Sequence, residues 1–259
     1  MDVVIGCRVS PKQKGDVVQM VRDKFPEKVT LAIGDGANDC AMIMKAHVGV
    51  GIAGKEGMQA ARTADYAIGK FMHLRPLMFV HGRECYRRNS DLVCFMFYKN
   101  VLFIIVEWYG GYFNNWSGQP FYEQLIYIMY NIAFTSLPIM WYALFDYEFV
   151  PEVFNEFPKL FRLGMLNSCF SVWKFWGWIA YAFTQGALVV LFCYYLPSET
   201  LLPEGYTYSF WAAGHWVYMI CLLLANAIVL RLQSNFTGYG EFVMALAVGG
   251  FYVFVYMWQ

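Results

Sequence analysis

Charged residues crowd the first 91 positions, and from Leu92 onward long apolar runs alternate with short polar stretches. Five runs, 92–113, 124–145, 172–196, 210–230 and 242–258, reach or approach the roughly 17 to 25 residues a helix needs to cross a bilayer. Tryptophan and tyrosine stand near many of their ends, where the membrane interfaces accept amphipathic rings. One such run is equally well explained as a buried core helix. Five in succession predict an all-α polytopic transmembrane region over 92–259.

The first 75 residues have a different rhythm. Residues 3–9 form a short apolar run with β-branched members, which predicts a strand. Ser10 and Pro11 follow as N-cap and first residue of a helix, and apolar residues recur at helical spacing through "KQKGDVVQMVRDKF". Residues 29–33 predict a second strand, 40–45 a helix, 47–52 a third strand and about 56–63 another helix. Such alternation implies a parallel sheet with helices on its faces. Residues 76–91 then read as a linker helix leading into the first span.

Composition sharpens this division. The chain is 59% hydrophobic and 15% charged, whereas soluble proteins carry about one quarter charged residues. Lysine and arginine orient the spans: 114–123 and 197–209 contain neither, while the alternate stretches hold Arg83, Arg87 and Arg88, then Lys159 and Arg162, then Arg231. The positive-inside rule therefore predicts that the α/β segment and the loops 146–171 and 231–241 are cytoplasmic, with the C-terminus on the outer side. No secretory signal is expected in "MDVVIGCRVS", which lacks a basic n-region and a long apolar core. The seven cysteines form no CxxC pair and are expected to be reduced packing residues, without zinc or disulfides. No nucleic-acid partner is expected.

One stretch concentrates polar chemistry: "TLAIGDGANDCAMIMKA" places two aspartates, an asparagine and two glycines within 34–39. In open parallel sheets, ligands gather beyond the carboxyl ends of the strands, and Asp35 stands at such an end with Asn38 and Asp39 just after it. A carboxylate there suits Mg²⁺, and a neighbouring asparagine amide donates to a phosphate oxygen. Gly, Asn and Asp are also the commonest turn residues, so on spacing alone a turn and a metal and phosphate site stand equal. The nearby "GVGIAGKE" imitates a phosphate-binding loop, but Glu56 occupies the place of the magnesium-binding hydroxyl.

"CRVSPKQK", "LAIGDGANDCAMI", "AHVGVGIAGKEGMQAARTADYAI", "FVHGRECYRR" and "CFMFYKN" occur in that order, and together they resemble the P-type ATPases of the phospholipid-flippase subfamily. The resemblance runs along nearly the whole chain and is densest from Cys7 to Asn100. It implies that residues 1–75 are the C-terminal part of a haloacid-dehalogenase-like, Rossmann-type phosphorylation domain. By position, Asp35 is expected to hold Mg²⁺ directly and Asp39 less directly, while Asn38 and Asp39 organise the phosphate and Lys14 reaches the aspartyl phosphate. Mg²⁺ and a lysine converging on one group suits phosphoryl transfer, which depends on positioning and charge stabilisation. ATP is the implied co-substrate, although its nucleotide-binding domain has no counterpart here.

The implied function is ATP-driven movement of phospholipid from the outer to the cytoplasmic leaflet through an aspartyl-phosphate intermediate. No D-K-T-G element, which would carry the phosphorylated aspartate, occurs in the 259 residues. The isolated chain is therefore expected to be an inactive rear portion of such a pump, matching spans five to nine of ten. The alternative is a truncated, non-catalytic membrane protein that binds lipid or regulates a full-length pump. The resemblance also implies a plasma-membrane or Golgi and endosomal location and an accessory glycoprotein subunit.

Two ionisable residues interrupt "LVCFMFYKNVLFIIVEWYGGYF": Lys99, about seven residues into the span, and Glu107, eight residues further. A charge at that depth costs about 2.5 to 3.5 kcal/mol on insertion scales. Lys99 either snorkels to the cytoplasmic interface, roughly 10 Å away at 1.5 Å per residue, or faces protein or a cavity. The resemblance favours the second, because flippases carry a lysine in the same "FYKN" setting, where it couples lipid movement to dephosphorylation. Asn100 adjoins it, and Asn131 matches a position associated with lipid head groups. The run 124–145 contains no Asp or Glu, which opposes a cation pump because such ions need several oxygen ligands. Pro138 is expected to kink that span.

Overall fold

The computed structural model describes residues 3–54, 57–166, 168–195 and 210–258. The chain divides into two compact units, one ending at His81 and the other starting at Gly82.

In the first unit, helix α1 (Pro11–Lys24) starts as the sequence predicts. The Ser10 hydroxyl accepts from the Gln13 amide at 3.4 Å, and the Gln13 side chain accepts from the Ser10 amide at 2.9 Å. This reciprocal capping satisfies two amides that the helix cannot bond itself. Strands β1 (Leu31–Gly34), β2 (Val48–Ile52) and β3 (Tyr66–Ile68) form a parallel sheet in that order, with Ala32 opposite Gly49 and Gly51 opposite Ala67. Between them lie α2 (Cys40–Lys45) and α3 (Gln59–Thr63).

Two expectations change. Residues 3–9 form no strand: Val3, Val4 and Ile5 are 74%, 77% and 84% exposed, and Arg8 has φ 53°. An extended run without a neighbour to pair with gains no ladder hydrogen bonds. Conversely, the sheet has a third strand over the three residues of β3, too short a run to signal itself. Gly49 and Gly51 of the phosphate-loop imitation lie within β2; a Cβ at Gly51 would stand 2.6 Å from the Ala60 carbonyl oxygen. Gly51 thus serves close packing of α3 on the sheet and Gly49 that of α2, where a Cβ would meet Ile43, while Lys55 and Glu56 lie outside the described residues. Helix α4 (Leu74–Pro76) and a π-helical turn, Leu77–Gly82, follow.

The second unit is helical. Its elements are α5 (Arg83–Gly111), α6 (Gln124–Met129), α7 (Ser136–Phe145), the short α8 (Pro151–Glu156) and α9 (Phe161–Met165), then α10 (Val172–Tyr195), α11 (Phe210–Leu232) and α12 (Gly238–Trp258). Five helical stretches are long and apolar enough to cross a membrane: Phe71–Gly111, Gln124–Phe145, Val172–Cys193, Phe210–Leu232 and Gly238–Met257. The protein is accordingly a multi-pass membrane protein. Its core is aromatic: Phe103 stacks between Tyr122 and Tyr130, with centroids 4.2 and 4.0 Å away. Three buried tyrosine hydroxyls reach backbone carbonyls, Tyr122 that of Phe103, Tyr130 that of Lys99 and Tyr218 that of Ile126, while Tyr98 and Tyr142 donate to the Gln185 and Asp91 side chains. In an apolar interior an unbonded hydroxyl would be costly.

One end of this unit is held by charge. Arg87 pairs with Glu84 and with Asp146, both at 2.8 Å, and Arg83 pairs with Glu84 at 2.8 Å. The other carboxylate oxygen of Asp146 accepts from the amides of Ser234 and Asn235 at 2.9 and 3.0 Å. Lys174 meets Asp91 at 3.3 Å, and Asp91 accepts from the Tyr142 hydroxyl at 3.0 Å. All described cysteines are free; Cys94 and Cys221 pack in the interior as expected, but Cys7 and Cys85 are exposed.

Candidate functional site

The predicted site residues fall into two groups, one in each unit. In the first, β1 ends at Gly34 and delivers Asp35 into the loop beyond its carboxyl end. A short 3-10 turn, Ala37–Asp39, carries Asn38 and Asp39 directly into α2. Gly34 has to be glycine, since a Cβ there would collide with the Asp39 side chain. Lys14 comes from the first turn of α1 and reaches Asp39 at 2.7 Å. That approach depends on Gly15, whose missing Cβ would stand 3.2 Å from the Ala41 carbonyl oxygen and lets α1 lie close against α2. Nearby, a hydrogen bond from Lys45 holds the Asp16 carboxyl below its ordinary range.

Asp35 and Asn38 are exposed, and Asp35 has no hydrogen-bond or ion-pair partner among the described residues. The Gly54 backbone closes over it: a Cβ at Gly54 would be 3.4 Å from that of Asp35. No group of three or more His, Cys, Asp or Glu side chains suited to a metal exists among the described residues. This donor set fits Mg²⁺ bound jointly with a phosphate, because that ion keeps several waters and takes one or two carboxylates plus phosphate oxygens. Asp39 is engaged by Lys14.

The second group lies in α5 and the helix after it. Lys99 is 1% exposed, and its ammonium donates to the Thr135 hydroxyl at 2.8 Å. Its side chain thus ends inside the helical unit. Asn100 is half-buried, and Asn131 is exposed on the outside of this unit. The structure therefore does not gather the three predicted residues around one point.

The second span is broken where these residues meet it. Tyr130–Phe134 form a π-helical turn between α6 and α7. Pro138 has no N–H to offer the Phe134 carbonyl, and Asn226 of α11 donates to it instead at 3.4 Å. The Tyr130 carbonyl accepts from both the amide and the hydroxyl of Thr135, at 3.1 and 2.6 Å, and the Ser136 hydroxyl bonds the Asn131 carbonyl. The break lies at this turn and not as a simple kink at Pro138. Irregular backbone is tolerated at membrane depth where side chains satisfy it.

Sequence reasoning missed Thr135 and Asp146. A hydroxyl three residues before Pro138 in an apolar run was the available signal for Thr135. Asp146 gave none, since a carboxylate just beyond a span is ordinary.

A helical unit with five stretches long and apolar enough to cross a membrane, preceded in sequence by a small unit with a parallel three-stranded sheet, defines a polytopic membrane protein. The family model described as phospholipid-translocating P-type ATPase, C-terminal, matches residues 61–259, and the chain belongs to that family. Phospholipid-transporting ATPase 11C of Mus musculus is 37% identical over 257 residues, covering 98% of this chain and 23% of that relative. Phospholipid-transporting ATPase ID of Homo sapiens is 43% identical over 237 residues, covering 91% of this chain and 19% of its own length. Probable phospholipid-transporting ATPase 5 of Arabidopsis thaliana is 36% identical over 254 residues, covering 97% and 20%. The chain spans about a fifth of the length of these curated relatives.

Proposed function

We propose that this chain works as part of a longer polypeptide that moves phospholipid from the outer to the cytoplasmic leaflet at the expense of ATP, through an aspartyl phosphate supplied by another segment. In this reading the first unit belongs to a haloacid-dehalogenase-like phosphorylation domain on the cytoplasmic side. Asp35 is the direct Mg²⁺ ligand, Lys14 and Asn38 contact the phosphate, and Asp39 orients Lys14. Bound Mg²⁺ would supply charge neutralisation on the transferred phosphoryl group.

The observation that carries the reading is the Lys14–Asp39 contact at 2.7 Å beside Asp35, which has no partner among the described residues, at the end of β1. A lysine ammonium and a carboxylate together at a strand end support this reading, since ligands in open parallel sheets gather there. In the membrane, the Lys99 ammonium suits an anionic or zwitterionic head group, and the carboxylate-free stretch Gln124–Phe145 offers no cation ligands of its own. Asn100 and Asn131 belong to the same proposed lipid route, and an accessory glycoprotein is the proposed partner.

The test is phosphoenzyme formation from ATP by the complete polypeptide. Asp35→Ala is expected to abolish the Mg²⁺-dependent phosphoenzyme. Normal phosphorylation by that variant would refute the metal assignment.

A further inference from the structure

We infer that Thr135 is a positioning residue for Lys99: its hydroxyl sets where the ammonium sits, and the π-helical turn before it sets where that hydroxyl points. The inference rests on the lipid-transport reading above, within which it names the residue that prepares Lys99.

A threonine hydroxyl has one proton to donate and two lone pairs, whereas an ammonium only donates. Thr135 commits its proton to the Tyr130 carbonyl at 2.6 Å, so it faces Lys99 purely as an acceptor, at 2.8 Å. Thr135 is 0% exposed and Lys99 1%, so water does not compete for this bond. The Tyr130 hydroxyl returns to the Lys99 carbonyl at 3.4 Å. Two hydrogen bonds thus join Lys99 of α5 to the turn, one through Thr135 and one through Tyr130, and a third ties those two residues to each other.

The turn is what makes this possible. An extra residue in a helix rotates everything after it by about 100° relative to a regular 3.6-residue repeat. Without the π-helical turn the Thr135 hydroxyl would face away from Lys99. Pro138 and Asn226 hold the turn in place, the first by withholding an amide and the second by bonding the Phe134 carbonyl thus released. One of the three ammonium protons goes to Thr135, and the other two have no acceptor among the described residues.

A threonine that merely stabilises the turn and one that positions Lys99 differ in a double-mutant cycle, because only the second depends on the ammonium. The complete polypeptide would be reconstituted in vesicles of phosphatidylcholine, phosphatidylserine and phosphatidylethanolamine, with ATP turnover read per phosphoenzyme formed. Thr135→Val is expected to lower lipid-stimulated turnover on the order of tenfold, as loss of one hydrogen bond to a charged group implies. Thr135→Ser is expected to restore most of it. In the Lys99→Met background, Thr135→Val is expected to add no further loss. Should the valine variant fail to accumulate, Thr135→Ala carries the same cycle.

Full turnover by Thr135→Val beside an impaired Lys99→Met would overturn this inference alone, as would an undiminished loss on the Lys99→Met background. Absence of lipid stimulation in the wild-type protein would overturn the transport reading, and this inference with it.

Discussion

Lys14 and Lys99 show how differently one residue type is used. The Lys14–Asp39 pair is partly exposed, with the lysine side chain at 36% and the aspartate at 13%. Pairs in such settings contribute about 0 to 1 kcal/mol to stability. Lys14→Met is therefore expected to shift thermal inactivation little while sharply lowering phosphoenzyme formation; a large loss of heat stability with normal phosphorylation would make the pair structural. Lys99 is buried, and among the described residues its ammonium bonds Thr135 alone. Lys99→Ala is expected to weaken lipid-stimulated turnover per phosphoenzyme, and unchanged stimulation would remove it from the lipid route. The residue identities and their spacing were legible in the sequence. Partnership was not: Lys14 and Asp39 are brought together by the packing of α1 on α2, and Thr135 is presented by a turn whose register no local pattern announces.

At the scale of elements, agreement followed the strength of local signals. Ser10, Pro11 and Gln13 mark the start of α1 unambiguously, because capping is chemistry within four residues. The extent of α2 also matched, residue for residue. The apolar run 3–9 misled because β-branched residues describe a surface that fits a sheet without supplying the sheet. The broken second span needs a partner from elsewhere: Asn226 on α11 completes it from 92 positions away in sequence. Asn226→Leu leaves the Phe134 carbonyl without a donor, and interhelical hydrogen bonds in membranes average about 0.6 kcal/mol with a maximum near 1.7. A modest lowering of the inactivation temperature in detergent is expected, together with slower lipid-stimulated turnover as the turn relaxes. Wild-type values for both would show that the turn holds itself.

Across the helical unit, Asp146 is the residue most elements share. It joins Arg87 on α5 to the amides that begin the connection between α11 and α12, from just beyond the end of α7. Its side chain is 2% exposed and that of Arg87 11%. Without Asp146, Arg87 keeps Glu84, but the Ser234 and Asn235 amides lose their acceptor and one of the two carboxylates on Arg87 is gone, and leaving buried groups unsatisfied is costly. Asp146→Ala should accordingly lower the heat stability of the purified protein far more than Asn226→Leu does. Equal effects would mean that water already reaches Arg87. At the largest scale, the proposed function requires segments beyond the 30.0 kDa represented here. An antibody raised against residues 146–171 is expected to detect a polypeptide several times heavier; a band near 30.0 kDa would instead favour a lipid-binding or pump-regulating membrane protein.

Membrane insertion, the number of crossing helices, the parallel α/β character of the first unit and the family motifs were determined by the sequence itself. Each depends on composition or on spacing over a few residues, and the bilayer enforces long apolar helices with little regard to what packs around them. The tertiary structure alone decided that residues 3–9 stay unpaired, that glycines 49 and 51 serve helix packing, that Lys99 turns inward to Thr135, and that Asp146 gathers three helix ends. Those outcomes turn on contacts between residues far apart in the chain. A side chain's partner is chosen by which helix lies beside it, and hydrophobic periodicity carries no record of that neighbour.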